Sequence, residues 1–235
     1  LLEPVGMLNF ILFKDLPLLY GRVPKVANSS IKAALSRLLK TAPQEGIRTT
    51  SDSFWKTGTN GETSMLSNHE ARMLRGTHFS FSFVRNPFDR LVSAYNNKIL
   101  ELDEVPGPMQ KMGLTHAMPF NDFLDVVADT SDEALDVHLL PQSSILCLDQ
   151  QLIPSFVGRM ETMTEDWKRL KHQLRREGLP NPGNLPQKNV RRGDNHRDVP
   201  IYFKDPGLVR IAVQRYSLDF DLFYNDKTLD ELVRG

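Results

Sequence analysis

Phe79-Ser80-Phe81-Ser82-Phe83-Val84-Arg85-Asn86-Pro87-Phe88-Asp89-Arg90-Leu91-Val92-Ser93-Ala94-Tyr95 decides how this chain is read. Phe79, Phe81 and Phe83 alternate with Ser80 and Ser82, the two-residue period of a strand. Asn86 can cap a helix. Pro87 suits the first helical position, where its fixed φ is already right and its missing N–H is not needed. Phe88, Leu91, Val92, Tyr95 and Ile99 then recur at helical spacing. Arg85 therefore stands at the carboxyl end of a strand and beside a helix N-terminus. Open α/β sheets bind anions there, because helix N-terminal N–H groups and the macrodipole favour negative charge.

A second strand–turn–helix lies upstream. Leu18-Leu19-Tyr20-Gly21-Arg22-Val23 is apolar enough for a strand, and Ile31, Ala34, Leu35, Leu38 and Leu39 trace an amphipathic helix. Between them runs Pro24-Lys25-Val26-Ala27-Asn28-Ser29-Ser30. One lysine, two hydroxyls and small residues that let backbone N–H groups face an anion make a phosphate cradle. It is not a Walker A loop, because the Gly-x-x-x-x-Gly-Lys-Ser/Thr pattern is absent. No aspartate stands obviously poised for magnesium.

Together these units resemble the sulfotransferases, specifically the Golgi carbohydrate sulfotransferases of the chondroitin/dermatan type and their bacterial relatives. In that family a Pro-Lys-Val-x-x-(Ser/Thr) turn binds the 5′-phosphosulfate of 3′-phosphoadenosine 5′-phosphosulfate (PAPS). An Arg-(Asn/Asp)-Pro-x-x-Arg-x-x-Ser segment binds the 3′-phosphate. The resemblance implies that Lys25, Val26, Ala27, Asn28, Ser29 and Ser30 hold the 5′ end. It implies that Arg85 and Ser93 hold the 3′-phosphate, with Arg90 as a helper. His138-Leu139-Leu140-Pro141-Gln142, Phe156-Val157-Gly158-Arg159-Met160-Glu161 and Tyr216–Tyr224 match more loosely. Arg191-Arg192-Gly193 is similar to the Arg-Lys-Gly element of the cytosolic sulfotransferases, so Arg191 and Arg192 are candidate nucleotide contacts in the basic loop with Lys188 and Arg197. The implied fold is three-layer α/β and P-loop-like, one domain over residues 1–235, with a central, mostly parallel sheet of about 4–5 strands. The implied co-substrate is PAPS, with 3′-phosphoadenosine 5′-phosphate (PAP) as product and no metal. The implied acceptor is a hydroxyl on a carbohydrate.

Bulk properties narrow the rest. The 235 residues carry 29 basic and 29 acidic side chains. Zero net charge gives no support for nucleic-acid binding. No apolar run approaches the ~20 residues of a membrane span, and no signal-peptide pattern is visible. The first residue is Leu1 rather than Met, which leaves a removed leader or anchor open. Cys147 is the single cysteine, so neither an internal disulfide nor a zinc set is available; in Ser-Ile-Leu-Cys-Leu it reads as a buried strand residue. The sequon Asn28-Ser29-Ser30 lies inside the proposed cradle, where a glycan would block a nucleotide. Both features favour a reducing, glycan-free compartment, bacterial cytoplasm rather than a Golgi lumen.

Along the chain, residues 41–70 and 101–120 read as irregular excursions suited to acceptor contacts. Phe123, Val126 and Val127 suggest a short helix, Ile145–Leu148 and Ser155–Gly158 read as strands, and Thr162–Glu165 as a capping box. A helix is expected over about Pro206–Tyr216. Residues 178–200 read as a Pro/Gly/Asn-rich loop. Sulfuryl transfer also needs a base for the acceptor hydroxyl. His78 begins the strand and falls roughly 20 Å from its carboxyl end. His116, His172 and His196 carry no motif. His138, in His-x-x-Pro-Gln, is the first candidate and His69 the second, with acidic residues such as Glu62 behind them. Lys25 is the candidate stabiliser of charge on the leaving oxygen. Two other readings stay open: another P-loop-like transferase such as a kinase, and a nucleotide- or glycan-binding module without turnover.

Overall fold

Phe79–Val84 forms a strand, buried everywhere but at its first residue. The computed structural model describes residues 7–186 and 198–234. Seven strands occur among them: β1 (Phe10–Phe13), β2 (Leu18–Gly21), β3 (Thr63–Leu66), β4 (Phe79–Val84), β5 (Cys147–Leu148), β6 (Gln151–Leu152) and β7 (Phe156–Arg159). Five build the main sheet in the order β3-β1-β2-β4-β7. β2, β4 and β7 are parallel neighbours, and β1 is antiparallel to both β2 and β3. β3 therefore runs with β2, and four of the five strands share one direction. β1 was not foreseen. It closes a hairpin onto β2, with Phe10 opposite Gly21 and Phe13 opposite Leu18.

The described helices are α1 (Asn28–Leu35), α2 (Asp52–Thr57), α3 (Asn68–Met73), α4 (Pro87–Tyr95), α5 (Gly107–Lys111), α6 (Phe120–Asp129), α7 (Gln142–Leu146), α8 (Met163–Arg176), α9 (Val199–Tyr202), α10 (Pro206–Arg215), α11 (Ser217–Phe223) and α12 (Leu229–Arg234). None is long and apolar enough to cross a membrane. The chain divides into two compact units. The first holds the described residues up to Val84 and from Ile145 to 186. The second holds Arg85–Ser144 and the residues from 198 onward.

In the first unit the alternation of β4 separates two kinds of bonding. Phe81 stacks on Tyr20, and Phe83 meets Phe156 and Trp167 at centroid distances of 6.2 and 5.9 Å. The serines stitch neighbouring chain to β4: Ser82 Oγ donates to the Gly21 carbonyl at 2.7 Å and Ser80 Oγ to that of Ile153 at 3.2 Å. A Cβ on Gly158 would lie 2.3 Å from the Phe83 ring. Gly158→Ala should therefore destabilise the protein by about 1–3 kcal/mol through overpacking. At roughly 2–4 °C per kcal/mol in a chain of this size, thermal denaturation will register the loss.

Several expectations need correction. Residues 41–70 are not one irregular excursion. Ser51 caps α2, which buries Phe54 and Trp55, and Trp55 Nε1 donates to the Thr49 carbonyl at 2.7 Å. β3 and α3 follow, α3 opening with a complete capping box between Ser67 and Glu70. Thr-Ser-Met-Leu lacks the alternation that announces a strand, which is why β3 went unread. The second excursion contains α5, and the helix at Phe123 extends over ten residues. Ile145–Leu148 is not a four-residue strand. It is the end of α7 and the two-residue β5, in which Cys147 is buried. The capping box at Thr162 does not form; Thr162 Oγ1 instead donates to Asp166 Oδ2 at 2.8 Å, and the Arg159 N–H donates to the same oxygen.

Candidate functional site

In the first unit, β2 ends at Gly21 and β4 at Val84, on the same edge of the sheet because the two strands are parallel neighbours. The turn after β2 has an uncommon backbone. Lys25 and Ala27 both have positive φ, +68° and +45°. For residues with a Cβ that conformation costs on the order of 1–3 kcal/mol, and such strain gathers at functional sites. Val26, between them, is buried and anchors the turn. Left-handed residues in alternation turn successive N–H groups toward one concavity, an anion-binding nest. Ala27 is also the N-cap of α1 and carries no capping side chain. The hydroxyl of Tyr20 donates to Asn28 Oδ1 at 3.2 Å, so the Asn28 amide has its –NH2 to offer an anion. Burial pushes the Tyr20 hydroxyl well above its usual titration range, keeping it a donor. Asp52 accepts from both Arg22 and the buried Lys32, which ties α2 to the strand exit and to α1. Lys32 is thereby structural.

In the second unit, Arg85 follows β4 directly and is 5% exposed. Its Nε donates to Asp89 Oδ2 at 2.7 Å, the helix-start ion pair that Arg85-x-x-x-Asp89 spacing allows. That pair fixes the guanidinium plane. Ser93 is buried, which rules out an ordinary surface serine. Arg90, the expected helper, is buried and bonded to backbone. Its Nη1 and Nη2 donate to the carbonyls of Leu140 and Val137 at 2.8 and 3.3 Å.

Those carbonyls belong to the segment bearing His138. Tyr216 Oη, just ahead of α11, donates to the Leu139 carbonyl at 2.7 Å, so three hydrogen bonds hold the segment against α4 and Tyr216. Asp136 Oδ1 accepts from the His138 backbone N–H at 2.9 Å and from its Nδ1 at 2.7 Å. Burial raises the Asp136 carboxyl, but the bonds from His138 outweigh it and hold the group below its ordinary range. An ionised Asp136 puts the imidazole proton on Nδ1 and leaves Nε2 as the acceptor. This is the geometry of a general base with its orienting carboxylate. Sequence reading missed Asp136, although the Asp-x-His spacing was there to be seen.

The rival bases fare differently. His69 lies exposed in the first turn of α3, just past the carboxyl end of β3, two strands from β2. Glu62 sits at the opposite edge, where its carboxylate accepts from the backbone N–H groups of Lys40 and Thr41 at 2.6 and 2.9 Å. Its carboxylate ties down the chain that follows α1. His78 begins at that same amino edge, as expected. Arg191, Arg192, Lys188, Arg197 and His196 lie outside the described residues.

The chain is similar to several known proteins. Carbohydrate sulfotransferase 14 of Danio rerio is 25% identical over 228 residues, 87% of this chain and 59% of that protein. Its Mus musculus counterpart is 30% identical over 186 residues, 69% of this chain and 47% of that protein. Carbohydrate sulfotransferase 10 of Homo sapiens is 25% identical over 174 residues, 63% of this chain and 48% of that protein. The chain thus spans about half the length of these curated relatives. No solved structure matches it at a significant level. The profile of the sulfotransferase family covers residues 8–225, from β1 through the end of α11, and the chain belongs to that family.

Proposed function

We propose that this chain transfers the sulfuryl group of PAPS to a hydroxyl of a carbohydrate, giving PAP and a sulfate ester. Family membership supports the reaction class, and the names of the relatives support the acceptor class. The observation that carries the donor side is the turn at Lys25–Ala27, two strained left-handed residues ahead of a helix whose N-cap residue offers no capping side chain. Strain there is repaid when N–H groups meet an anion.

In this reading Lys25, the turn N–H groups, Asn28, Ser29 and Ser30 take the 5′-phosphosulfate. Arg85 and Ser93 take the 3′-phosphate. His138 Nε2 removes the acceptor proton while the acceptor oxygen bonds to sulfur. The bond from sulfur to the bridging oxygen breaks, and its electron pair stays on PAP. Lys25 stabilises the charge that grows there. Asp136 holds the imidazole and stabilises the imidazolium that forms. The proposal includes a compartment that leaves Asn28 without a glycan, as a reducing cytoplasm does.

The test is transfer of labelled sulfate from PAPS to a panel of unsulfated oligo- and polysaccharides. Label should appear on a carbohydrate with PAP released mole for mole. Tight PAP binding without transfer to any acceptor would reduce the chain to a binding module. Transfer only to non-carbohydrate hydroxyls would remove the acceptor half of the proposal.

A further inference from the structure

Gln142 and Asp219 have no place in the chemistry above, yet both side chains are fully buried against it. The Gln142 side chain makes a reciprocal pair with the backbone of Arg85. The Arg85 N–H donates to Gln142 Oε1 at 2.9 Å, and Gln142 Nε2 donates to the Arg85 carbonyl at 2.8 Å. A side-chain amide here does what a neighbouring strand does in a ladder, at the residue where β4 has ended. Asp219, on α11, holds the other end. Its Oδ2 accepts from the Gln142 backbone N–H at 2.8 Å and its Oδ1 from that of Ser143 at 2.7 Å. These are first-turn N–H groups of α7, which have no partner within the helix. Burial raises the Asp219 carboxyl, and the hydrogen bonds from Ser143 and Gln142 pull it back.

The backbone of Arg85 is thus gripped at both its N–H and its carbonyl. On the following residue, Asn86 Nδ2 donates to the Leu232 carbonyl of α12 at 2.6 Å. A helix cap alone would ask for none of this. Asn86 already caps α4 by accepting from the Phe88 N–H at 3.1 Å. What the grip fixes is the point from which the Arg85 side chain departs, and with it the guanidinium that Asp89 orients from the other end.

We infer that Gln142 and Asp219 are positioning residues for Arg85, setting it to recognise the 3′-phosphate of the nucleotide. The inference rests on the proposed role of Arg85, and the two can fail separately. Such residues do not touch the nucleotide. They act by holding a charged donor within the narrow range of geometry a phosphate oxygen accepts.

Calorimetry with PAP and ADP separates this from a merely structural role, because ADP lacks the 3′-phosphate. Gln142→Met keeps the volume and deletes both bonds to Arg85. Its preference for PAP over ADP should narrow by roughly tenfold, the worth of about one to two buried hydrogen bonds, while ADP affinity stays near wild type. Asp219→Asn keeps the shape and one acceptor oxygen. It should shift the preference the same way by less, and it serves if Gln142→Met does not fold. A folded Gln142→Met or Asp219→Asn protein with the full wild-type preference overturns the inference. Arg85→Ala is the control: if it too leaves the preference intact, the role of Arg85 falls as well; if it alone removes the preference, only the positioning claim falls.

Discussion

Lys25→Ala should lower kcat by about 100-fold or more while PAP affinity changes little. Charge on the oxygen bridging phosphorus and sulfur develops only as that bond breaks. A cation aimed at it therefore acts in the transition state. Removal of one such electrostatic contact typically costs about 10²–10³ in kcat. The backbone should not complicate the result. Lys25 already occupies the left-handed region at +68°, as Ala27 does at +45°, so alanine at position 25 meets the same conformational cost that alanine meets two residues on. Lys25→Arg gives a second check. The guanidinium keeps the charge but replaces a compact ammonium with a planar fork, so it should restore only part of the lost turnover and leave PAP affinity near wild type. Equal losses in kcat and in PAP affinity would make Lys25 an anchor for the phosphate and nothing more.

His138→Ala should lower kcat by roughly 10²-fold or more, with PAP binding retained. Turnover by the wild type should fall toward acid pH, because only the neutral imidazole accepts the acceptor proton, and that limb should vanish in His138→Ala. Asp136 cannot produce the limb itself. Its folded carboxyl is held below the ordinary range, so it stays ionised to more acid pH than a free carboxyl does. What the pair contributes to stability is present above the carboxyl's unfolded value and is lost only as the pH falls through the depressed one. Asp136→Asn keeps the shape and removes the charge that balances an imidazolium, so its loss in kcat should be smaller than that of His138→Ala. An acid limb that survives in His138→Ala would move the base to another residue, His69 at the first turn of α3 being the next to test.

The parts legible in the sequence were those with strong local signals. The Phe/Ser alternation announced β4, and Asn86-Pro87 announced the start of α4. The family resemblance drawn from Lys25–Ser30 and Arg85–Ser93 is upheld by a match that runs almost the length of the chain. Elements fixed by tertiary contact were not legible. β1 is four residues long and reads as an apolar run, and β3 has no periodicity; the two pair with each other to build that side of the sheet. α7 replaced an expected strand because Asp219, 77 residues away, supplies the acceptors that its first turn needs. No local rule reports such a partner. The same holds within the site. Arg90 matched a motif position, but the folded chain commits it to the carbonyls of Val137 and Leu140. Gln142 matched a motif position without a role, and the pair of bonds to Arg85 supplies one. The left-handed conformation of Lys25 and Ala27 could not be foreseen, since neither is a glycine, asparagine or aspartate.

One titration bears most directly on the central claim that this chain binds a nucleotide carrying phosphate at both its 3′ and 5′ positions. Wild-type protein is titrated by calorimetry with PAP, ADP and ATP. PAP should bind roughly 10- to 150-fold more tightly than ADP or ATP, the range expected for a charge-assisted contact to the 3′-phosphate that neither ADP nor ATP carries. Equal affinities for PAP and ADP, or a preference for ATP, would contradict the account.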